Sequence, residues 1–398
     1  MPTTRLELTF LPGLGGVVHD EVVERLAPAR PPRPVPGRED ALVVDVTGPL
    51  RPALALRTPV AAWVALHLDV PRPRSLVSGD HLARVVGAVR SAQLAAAASS
   101  LRLEAAGKDS LVLQRLAAEL SAATGLPHDP RDGELVVRLR RGVPPEGGAA
   151  RTEDPGWDVL VRIGRRPLSA RPWRVVDYPG AANATIAAAL VRLAGVRPQD
   201  RVLNLMGGSG TLLVERLLAG PAAAAALVDT AAGARDAARA NLAAAGLVVA
   251  GAPAPPRRVA GAPVVAVVDA DATDSVALAG ALTGALTGAP TGTPAGAPPG
   301  GAAAWDLVLA DPPWGTLHGT HATAADVHAG LLRGAAALTV PGGRLAVLTH
   351  EVRVMERCVA AAAADWRPAA EPLRVFAKGH HPRIWVLERR GGTGQPRR

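Results

Sequence analysis

Asp311-Pro312-Pro313-Trp314 stands directly after the apolar run Trp305-Asp306-Leu307-Val308-Leu309-Ala310. An acid, two prolines and an aromatic at the end of a strand can hold a planar ring that carries an exocyclic amine. Such an amine is a poor nucleophile, because its lone pair is delocalised into the ring. Two acceptors aimed at its hydrogens favour pyramidal nitrogen and stabilise the charge that develops on attack. The Asp311 carboxylate supplies one acceptor and the Pro312 carbonyl can supply the other. Paired prolines fix φ, hold that carbonyl outward and bring no N–H of their own to satisfy. Trp314 can stack on a base drawn out of its helix or loop.

Upstream, Asn204-Leu205-Met206-Gly207-Gly208-Ser209-Gly210-Thr211 has the form of a cofactor loop that supplies the group to be transferred. Glycines let backbone approach a ligand, and the start of the next helix offers unpaired N–H groups to a carboxylate or phosphate. The nicotinamide fingerprint asks for a third glycine; Leu213 stands there instead, which weakens a dehydrogenase reading. Asp229 ends the following strand, where an acid can accept from both ribose hydroxyls. Asp271-Ala272-Thr273 follows the third strand, where a side-chain acceptor can meet an adenine amino group.

These residues need a parallel sheet to bring them together. From residue 183 onward the apolar patterning alternates helix and strand: helix 185–193, strand 202–205, helix 211–218, strand 224–229, helix 232–245, strand 264–269, strand 307–310, helix 324–338, strand 344–349 and strand 383–387. That alternation predicts a parallel sheet covered on both faces. Ala279–Ala304 is rich in Gly, Ala, Thr and Pro, with Leu-Thr-Gly-Ala twice, and reads as a disordered insertion. The N-terminal half has a different pattern. Leu6, Leu8 and Phe10 alternate as a strand, then a Pro-Gly break leads to a helix over 17–26. Later come a helix within 84–101, a strand over 101–105, a helix over 110–124 and strands over 133–140 and 157–163.

The two motifs together resemble the Rossmann-like class I S-adenosylmethionine methyltransferases that act on exocyclic amines. The segment Arg166-Pro167-Leu168-Ser169-Ala170-Arg171-Pro172-Trp173-Arg174, then Asp177-Tyr178-Pro179-Gly180, Asn183 and the loop through Glu215, resembles the catalytic domain of THUMP-domain RNA methyltransferases. Residues 6–26 are similar to that family's ferredoxin-like entry, and 103–163 to the THUMP fold itself. The resemblance implies an α/β chain in which a ferredoxin-like/THUMP α+β module precedes a Rossmann-like methyltransferase domain. The expected boundaries are 1–167 for an RNA-binding module, 168–390 for the methyltransferase domain with insertion 279–304, and 391–398 for a tail. It implies S-adenosyl-L-methionine around Asn204, Met206, Gly207, Gly208, Ser209, Gly210, Thr211, Asp229, Asp271 and Ala272, with the target base at Asp311–Trp314. The activity implied is guanine-N2 methylation of tRNA, with rRNA as the other RNA. Many relatives have cysteine at Gly208, and tyrosine or phenylalanine at Trp314.

The tetrapeptide does not separate guanine N2 from adenine N6, and a catalytically inactive RNA-binding protein is a third reading. The net charge of +9 suits a polyanionic partner or a merely basic surface. Arg162, Arg165, Arg166, Arg171 and Arg174, with no acid between Asp158 and Asp177, are candidates for phosphate contact or for a solvated face. The single cysteine, Cys358, excludes intramolecular disulfides and any cysteine-based zinc site; it reads as a buried small hydrophobe in a reducing cytoplasm. His321 and His328 are badly spaced for a metal, so none is expected. No signal peptide or membrane span is expected, and no oligomeric state is legible. Trp63, Trp157, Trp366 and Trp385 read as core.

Overall fold

The computed structural model describes residues 3–142, 155–287, 305–313, 321–377 and 379–391. The chain divides into two compact units, Met1–Ala170 and Arg171–Arg398; the expected boundary at 167/168 lies just before this division. The fold is mixed α/β, as the patterning predicts.

The first unit runs β1 (Thr3–Thr9), α1 (Gly15–Leu26), β2 (Arg33–Pro34), β3 (Ala41–Thr47), β4 (Ala61–Leu68), α2 (Gly79–Ala96), β5 (Leu101–Glu104), α3 (Leu111–Thr124), β6 (Leu135–Arg141) and β7 (Trp157–Ile163). These strands form one seven-stranded sheet in the order β2-β3-β1-β4-β7-β6-β5. The two N-terminal pieces read from sequence therefore share a single sheet. Strand alternation sorts its faces. Leu6, Leu8, Leu101, Leu135, Val137, Val159 and Val161 go to the buried side. On the other side Glu7 accepts from Arg38 and Arg140, Glu104 accepts from Arg102 and Arg138, and Arg138 lies 4.4 Å over the Trp63 ring. Trp157 departs from the core expectation: it is half-buried, with Arg141 over its ring at 5.2 Å.

The second unit runs α4 (Ala184–Ala194), β8 (Arg201–Leu205), α5 (Thr211–Ala219), β9 (Ala224–Val228), α6 (Ala232–Ala244), β10 (Val265–Val268), α7 (Ser275–Thr287), β11 (Trp305–Ala310), α8 (His321–Leu338), β12 (Thr339–Thr349), α9 (Val352–Ala361), β13 (Trp366–Pro368), β14 (Leu373–Arg374) and β15 (Arg383–Arg389). The sheet order is β10-β9-β8-β11-β12-β15-β13, with β14 also on β15. Strands β8 to β12 are mutually parallel, and β15 is antiparallel to β12. The order reverses between β8 and β11, so a crevice opens at their carboxyl ends, where doubly wound sheets bind ligands. The buried core on one face joins Leu203, Leu205, Val308 and Val347 to Leu278 of α7, Leu331 of α8 and Met355 of α9. Helices α4, α5 and α6 pack against β12, β8, β10 and β11.

Three local features diverge from the sequence expectations. Residues 279–287, assigned to a disordered insertion, continue the helix α7 that begins at Ser275. Leu278 and Leu282, one helical turn apart, are 0% and 3% exposed, and their burial outweighs the glycine and threonine around them. The remainder of that insertion, 288–304, lies outside the described residues. Helix α9 and the short strands β13 and β14 were not anticipated. Cys358, on α9, is part-buried rather than buried.

If α7 is part of the core, Leu278→Ala should destabilise the protein by roughly 2–5 kcal/mol, the usual cost of emptying a buried leucine site. A denaturation midpoint unchanged from wild type would return this segment to the loop it was expected to be.

Candidate active site

The turn after β8 carries strained backbone. Met206 has φ 49, Gly208 φ 52 and Gly210 φ 81, so three of five successive residues are left-handed. Gly207 serves close packing instead: a Cβ there would stand 2.5 Å from Leu227 Cγ. The loop is held by the next strand. Gly207 N–H donates to the Val228 carbonyl at 2.9 Å, and Gly208 N–H donates to Asp229 Oδ2 at 2.8 Å. The other oxygen of Asp229 accepts from Ala231 N–H at 2.9 Å. A carboxylate has about four lone-pair sites, so Asp229 fixes two loops and keeps acceptor capacity for a ligand.

Asn241 of α6, fully buried, uses both ends of its amide to tie the preceding segment to this loop. Its Oδ1 accepts from Val175 N–H and Val176 N–H, both at 3.0 Å. Its Nδ2 donates to the Val176 carbonyl at 3.2 Å and the Ser209 carbonyl at 3.1 Å. Arg174 adds a second tie, donating to the Ala182 carbonyl at 2.8 Å and Thr211 Oγ1 at 3.0 Å. Asn183 caps α4 by accepting from Thr185 N–H at 2.9 Å. The segment 178–182 thereby becomes one lip of a cavity.

That cavity measures about 450 Å³. Its walls are the 178–182 lip, Met206–Ser209, Thr211 and Leu212, Val228–Ala231, Ala270–Thr273, Asp311–Pro313 and Val327. Most of the expected site residues thus meet in one space. Asp271 is exposed there; its Oδ1 accepts from Thr273 N–H at 2.8 Å and Thr273 Oγ1 at 2.7 Å. Helix α8 packs tightly on that turn, since a Cβ at Gly334 would meet the Ala272 carbonyl at 2.4 Å.

Asn204 and Gly210 do not line the cavity. Asn204 is 0% exposed and donates to the Leu309 carbonyl at 3.2 Å, joining β8 to β11. Gly210 is the N-cap of α5, and a Cβ there would stand 3.4 Å from Ala238 Cβ. Trp314 lies outside the described residues.

Asp311 is the electrostatic anomaly. Its Oδ1 is buried with no hydrogen-bond partner among the described residues, and desolvation raises its pKa to about 7. The arginine run, by contrast, is mostly structural. Arg162 is 6% exposed and donates to the carbonyls of Gly164, Glu134 and Arg165; burial lowers its pKa to about 10. The Arg171 side chain is 6% exposed and bonds Glu215 at 2.8 Å. Arg174 is part-buried in the ties described above, and desolvation lowers its pKa. Only Arg165, paired with Glu134, and Arg166 are exposed members of that run. His328, set aside as a metal ligand, is fully buried between the Ala324 carbonyl and Thr349 Oγ1. Among the described residues no cluster of metal-binding side chains occurs.

A family model described as UPF0020, RMKL-like methyltransferase domain, matches residues 171–382, more than half the chain. The chain belongs to this methyltransferase family. The second unit is therefore an RMKL-like methyltransferase domain with its cavity at the switch point. Among solved structures, TrmN from Thermus thermophilus is similar at 25% identity and TM-score 0.62, covering 98% of this chain and 100% of that one. A predicted N6-adenine-specific DNA methylase from Listeria monocytogenes shares the fold at 13% identity and TM-score 0.58, over 98% and 97% of the two chains. So does SMU.472, solved complexed with SAH, at 12% identity and TM-score 0.59 over 100% of both. No curated protein matches the sequence. No helix among the described residues is long and apolar enough to cross a membrane.

S-adenosylmethionine fits the RMKL-like domain's cavity by its donor set. Asp229 has acceptors for ribose hydroxyls, Asp271 stands at the third strand, and α5 begins without a side-chain cap, leaving first-turn N–H groups for a carboxylate. Sequence reasoning missed Asn241 and the Tyr178 lip as parts of the site. Tyr178, the only tyrosine in the chain, was available as a signal; Asn241 shares its alanine-rich helix with Arg235, Asp236 and Arg239, and nothing local marks it.

The Asp311 shift predicts a stability effect of known sign. Its folded pKa of about 7 lies above the unfolded 3.8, so stability is fullest below about pH 4 and is lost as pH rises through 7. Asp311→Asn removes the ionisation. Relative to wild type it should gain stability between pH 4 and pH 8, by up to about 4 kcal/mol. A mutant-minus-wild-type difference that is flat with pH in chemical denaturation would refute the buried carboxyl.

Proposed function

We propose that this methyltransferase uses S-adenosylmethionine to methylate an exocyclic amine on RNA, guanine N2 in tRNA above all. The observation that carries the reading is Asp311, whose buried Oδ1 has no hydrogen-bond partner among the described residues and which lines the same cavity as the glycine loop and Asp229. An unpaired buried acceptor is costly to the fold; an amine hydrogen placed there would satisfy it.

When bound, S-adenosylmethionine supplies an electrophilic methyl on a sulfonium. Asp229 would hold the ribose hydroxyls, the Met206–Ser209 turn would lie along the ligand, and the start of α5 would receive the carboxylate. Asp311 and the Pro312 carbonyl orient the amine for in-line attack. Orientation and electrostatics provide most of the rate. No strong base is needed beforehand, because the product nitrogen cation is very acidic and sheds its proton readily. The RNA part of the reading draws on the net charge of +9 and on the THUMP-like pattern of the first unit. The likeness to TrmN covers 98% of this chain, so it takes in both units.

Asp311→Ala should lower kcat at least a hundredfold while leaving S-adenosylmethionine affinity within a few-fold, by calorimetry beside a tritiated-methyl assay. Unchanged turnover would remove Asp311 from the site. The same carboxyl sets the pH profile. It accepts with both oxygens and full negative charge only when ionised, so kcat/KM should rise about tenfold per pH unit up to about 7 and then level. With the cationic sulfonium bound, the kcat profile should break at lower pH. A profile flat from pH 5.5 to 8 would contradict this.

The acceptor is tested by mass spectrometry of modified nucleosides in tRNA and rRNA from a strain lacking the gene. Loss of N2-methylguanosine is the expected result; loss of N6-methyladenosine instead would transfer the assignment to adenine.

A further inference from the structure

The side of Asp311 away from the cofactor loop is formed by two elements that no role has yet absorbed. Continuing the β11–β12 register from the Ala310–Val347 pair brings Pro313 level with His350. On the other edge of β12, Thr349 pairs with Arg383, so β15 begins at the same carboxyl edge of the sheet. The chain reaches that point through a hairpin. β14 pairs with β15, Val375 N–H donates to the Pro382 carbonyl at 3.0 Å, and Ala377 and His380 exchange both backbone bonds at 3.0 and 2.9 Å. Gly379, at φ 82, makes the tip possible. The sheet thus carries, in order, the cofactor cavity at β8 to β10, Asp311 at β11, and this hairpin beyond β12.

Rings gather where the hairpin meets β12. His350 and His380 stand edge to face with centroids 5.4 Å apart, and Phe376 lies 5.1 Å from His381. Phe376 is 37% exposed, one of two phenylalanines in the whole chain. An exposed ring there gains nothing from core burial. The charged groups nearby are mostly engaged: Arg383 pairs with Glu356 at 3.1 Å, and Glu351 follows His350 at the start of α9. Burial, with a smaller contribution from His380, lowers the His350 pKa to about 4, so that ring is neutral at working pH. His328 braces the strand end through Thr349 Oγ1, which also accepts from Glu351 N–H at 3.1 Å. Flat rings at the same sheet edge as an amine-orienting carboxylate suit the face and edge of a base. Arg374, exposed at the foot of the hairpin, suits its phosphate.

We propose that Phe376, His380 and His381 of the hairpin tip, with His350 just after β12, form the nucleobase subsite and hold an unpaired purine against Asp311. Phe376 supplies the stacking face and the imidazoles contact the ring edge. This rests on the reading of an exocyclic amine on RNA as acceptor, and names the residues that hold its base.

The test uses the full chain. Wild type, Phe376→Ala, His380→Ala and Phe376→Trp are titrated with S-adenosylmethionine by calorimetry and assayed for methyl transfer to unmodified tRNA transcripts. Both alanine variants should bind S-adenosylmethionine within twofold of wild type while kcat/KM for RNA falls at least tenfold, mainly through KM. Phe376→Trp should recover to within about threefold, because stacking needs only a flat ring. Wild-type kcat/KM in both alanine variants overturns the subsite, and so does a loss of S-adenosylmethionine affinity matching the loss of activity. Should wild type methylate no RNA, the acceptor reading fails, and the subsite is judged with guanosine 5′-monophosphate on the SAH-bound protein. Imidazole Hε1 resonances of His350 and His380 that shift on addition, and do not in Phe376→Ala, uphold it; resonances that stay put overturn it.

Discussion

The parallel pairing of β8 with β11 is the constraint on which the site depends. Two strands far apart in sequence run side by side from Val202–Leu307 to Leu205–Ala310. Because they are parallel, the glycine loop and Asp311-Pro312-Pro313 leave the sheet at the same edge. A shift of one residue would turn each side chain to the other face. Side chains at both ends oppose such a shift. Arg201 N–H and Nε donate to Asp306 Oδ2 at 2.9 and 2.8 Å where the strands begin. Asn204 donates to the Leu309 carbonyl where they end. Asn204 thus matters to the cavity without facing it: it sets where the two walls stand.

That edge stores unfavourable terms. Met206 is a non-glycine residue in left-handed backbone, and Asp311 is an acid with a desolvated oxygen that has no partner among the described residues. Each is held by surroundings that over-determine it. Behind the edge, the core of Leu203, Leu205, Val308, Leu345 and Val347 is sealed by α7, α8 and α9. In front, Asp229 and Asn241 convert flexible turns into fixed walls through bonds to backbone groups, Asp229 keeping acceptor capacity for a ligand. The electrostatic cost therefore falls on one carboxyl, which is the group the proposed chemistry needs in its ionised form.

The strand ends were legible because their physics is local. An apolar run followed by glycine, aspartate or proline marks a sheet edge, and alternating β and α places successive edges on one side. Asp229, Asp271 and Asp311 stand at such edges. Helix α7 is less legible, because Leu278 and Leu282 sit one turn apart in a tract whose composition is otherwise typical of linkers. Asn241 could not be placed because its partners, Val175 and Val176, are 66 and 65 residues away. Its amide is informative only once the lip and the loop stand on either side of it. The arginine run failed for a related reason. Charge is a property of sequence, but whether a guanidinium meets solvent, a carboxylate or a carbonyl is decided by tertiary packing.

The use of arginine in this chain follows from that last point. Lysine occurs only at Lys108 and Lys378, so the long cation available for buried work is almost always a guanidinium. Five donors in a fixed fork suit it to satisfy several acceptors at once. Arg216 is 0% exposed and reaches Asp200 together with the carbonyls of Arg197, Gly220 and Pro221. Arg344 joins the same Asp200 to the carbonyls of Ala194 and Gly195. Arg389 ties the Ala336 and Asp365 carbonyls. These residues act as staples between helix ends and strands. A pair such as Arg171–Glu215 removes one charge of each sign, so burying it leaves the net +9 unchanged. The surplus therefore resides on the remaining, more exposed arginines. A polyanion would meet it there, on residues such as Arg166 and Arg374, and not along the 162–174 run as a whole.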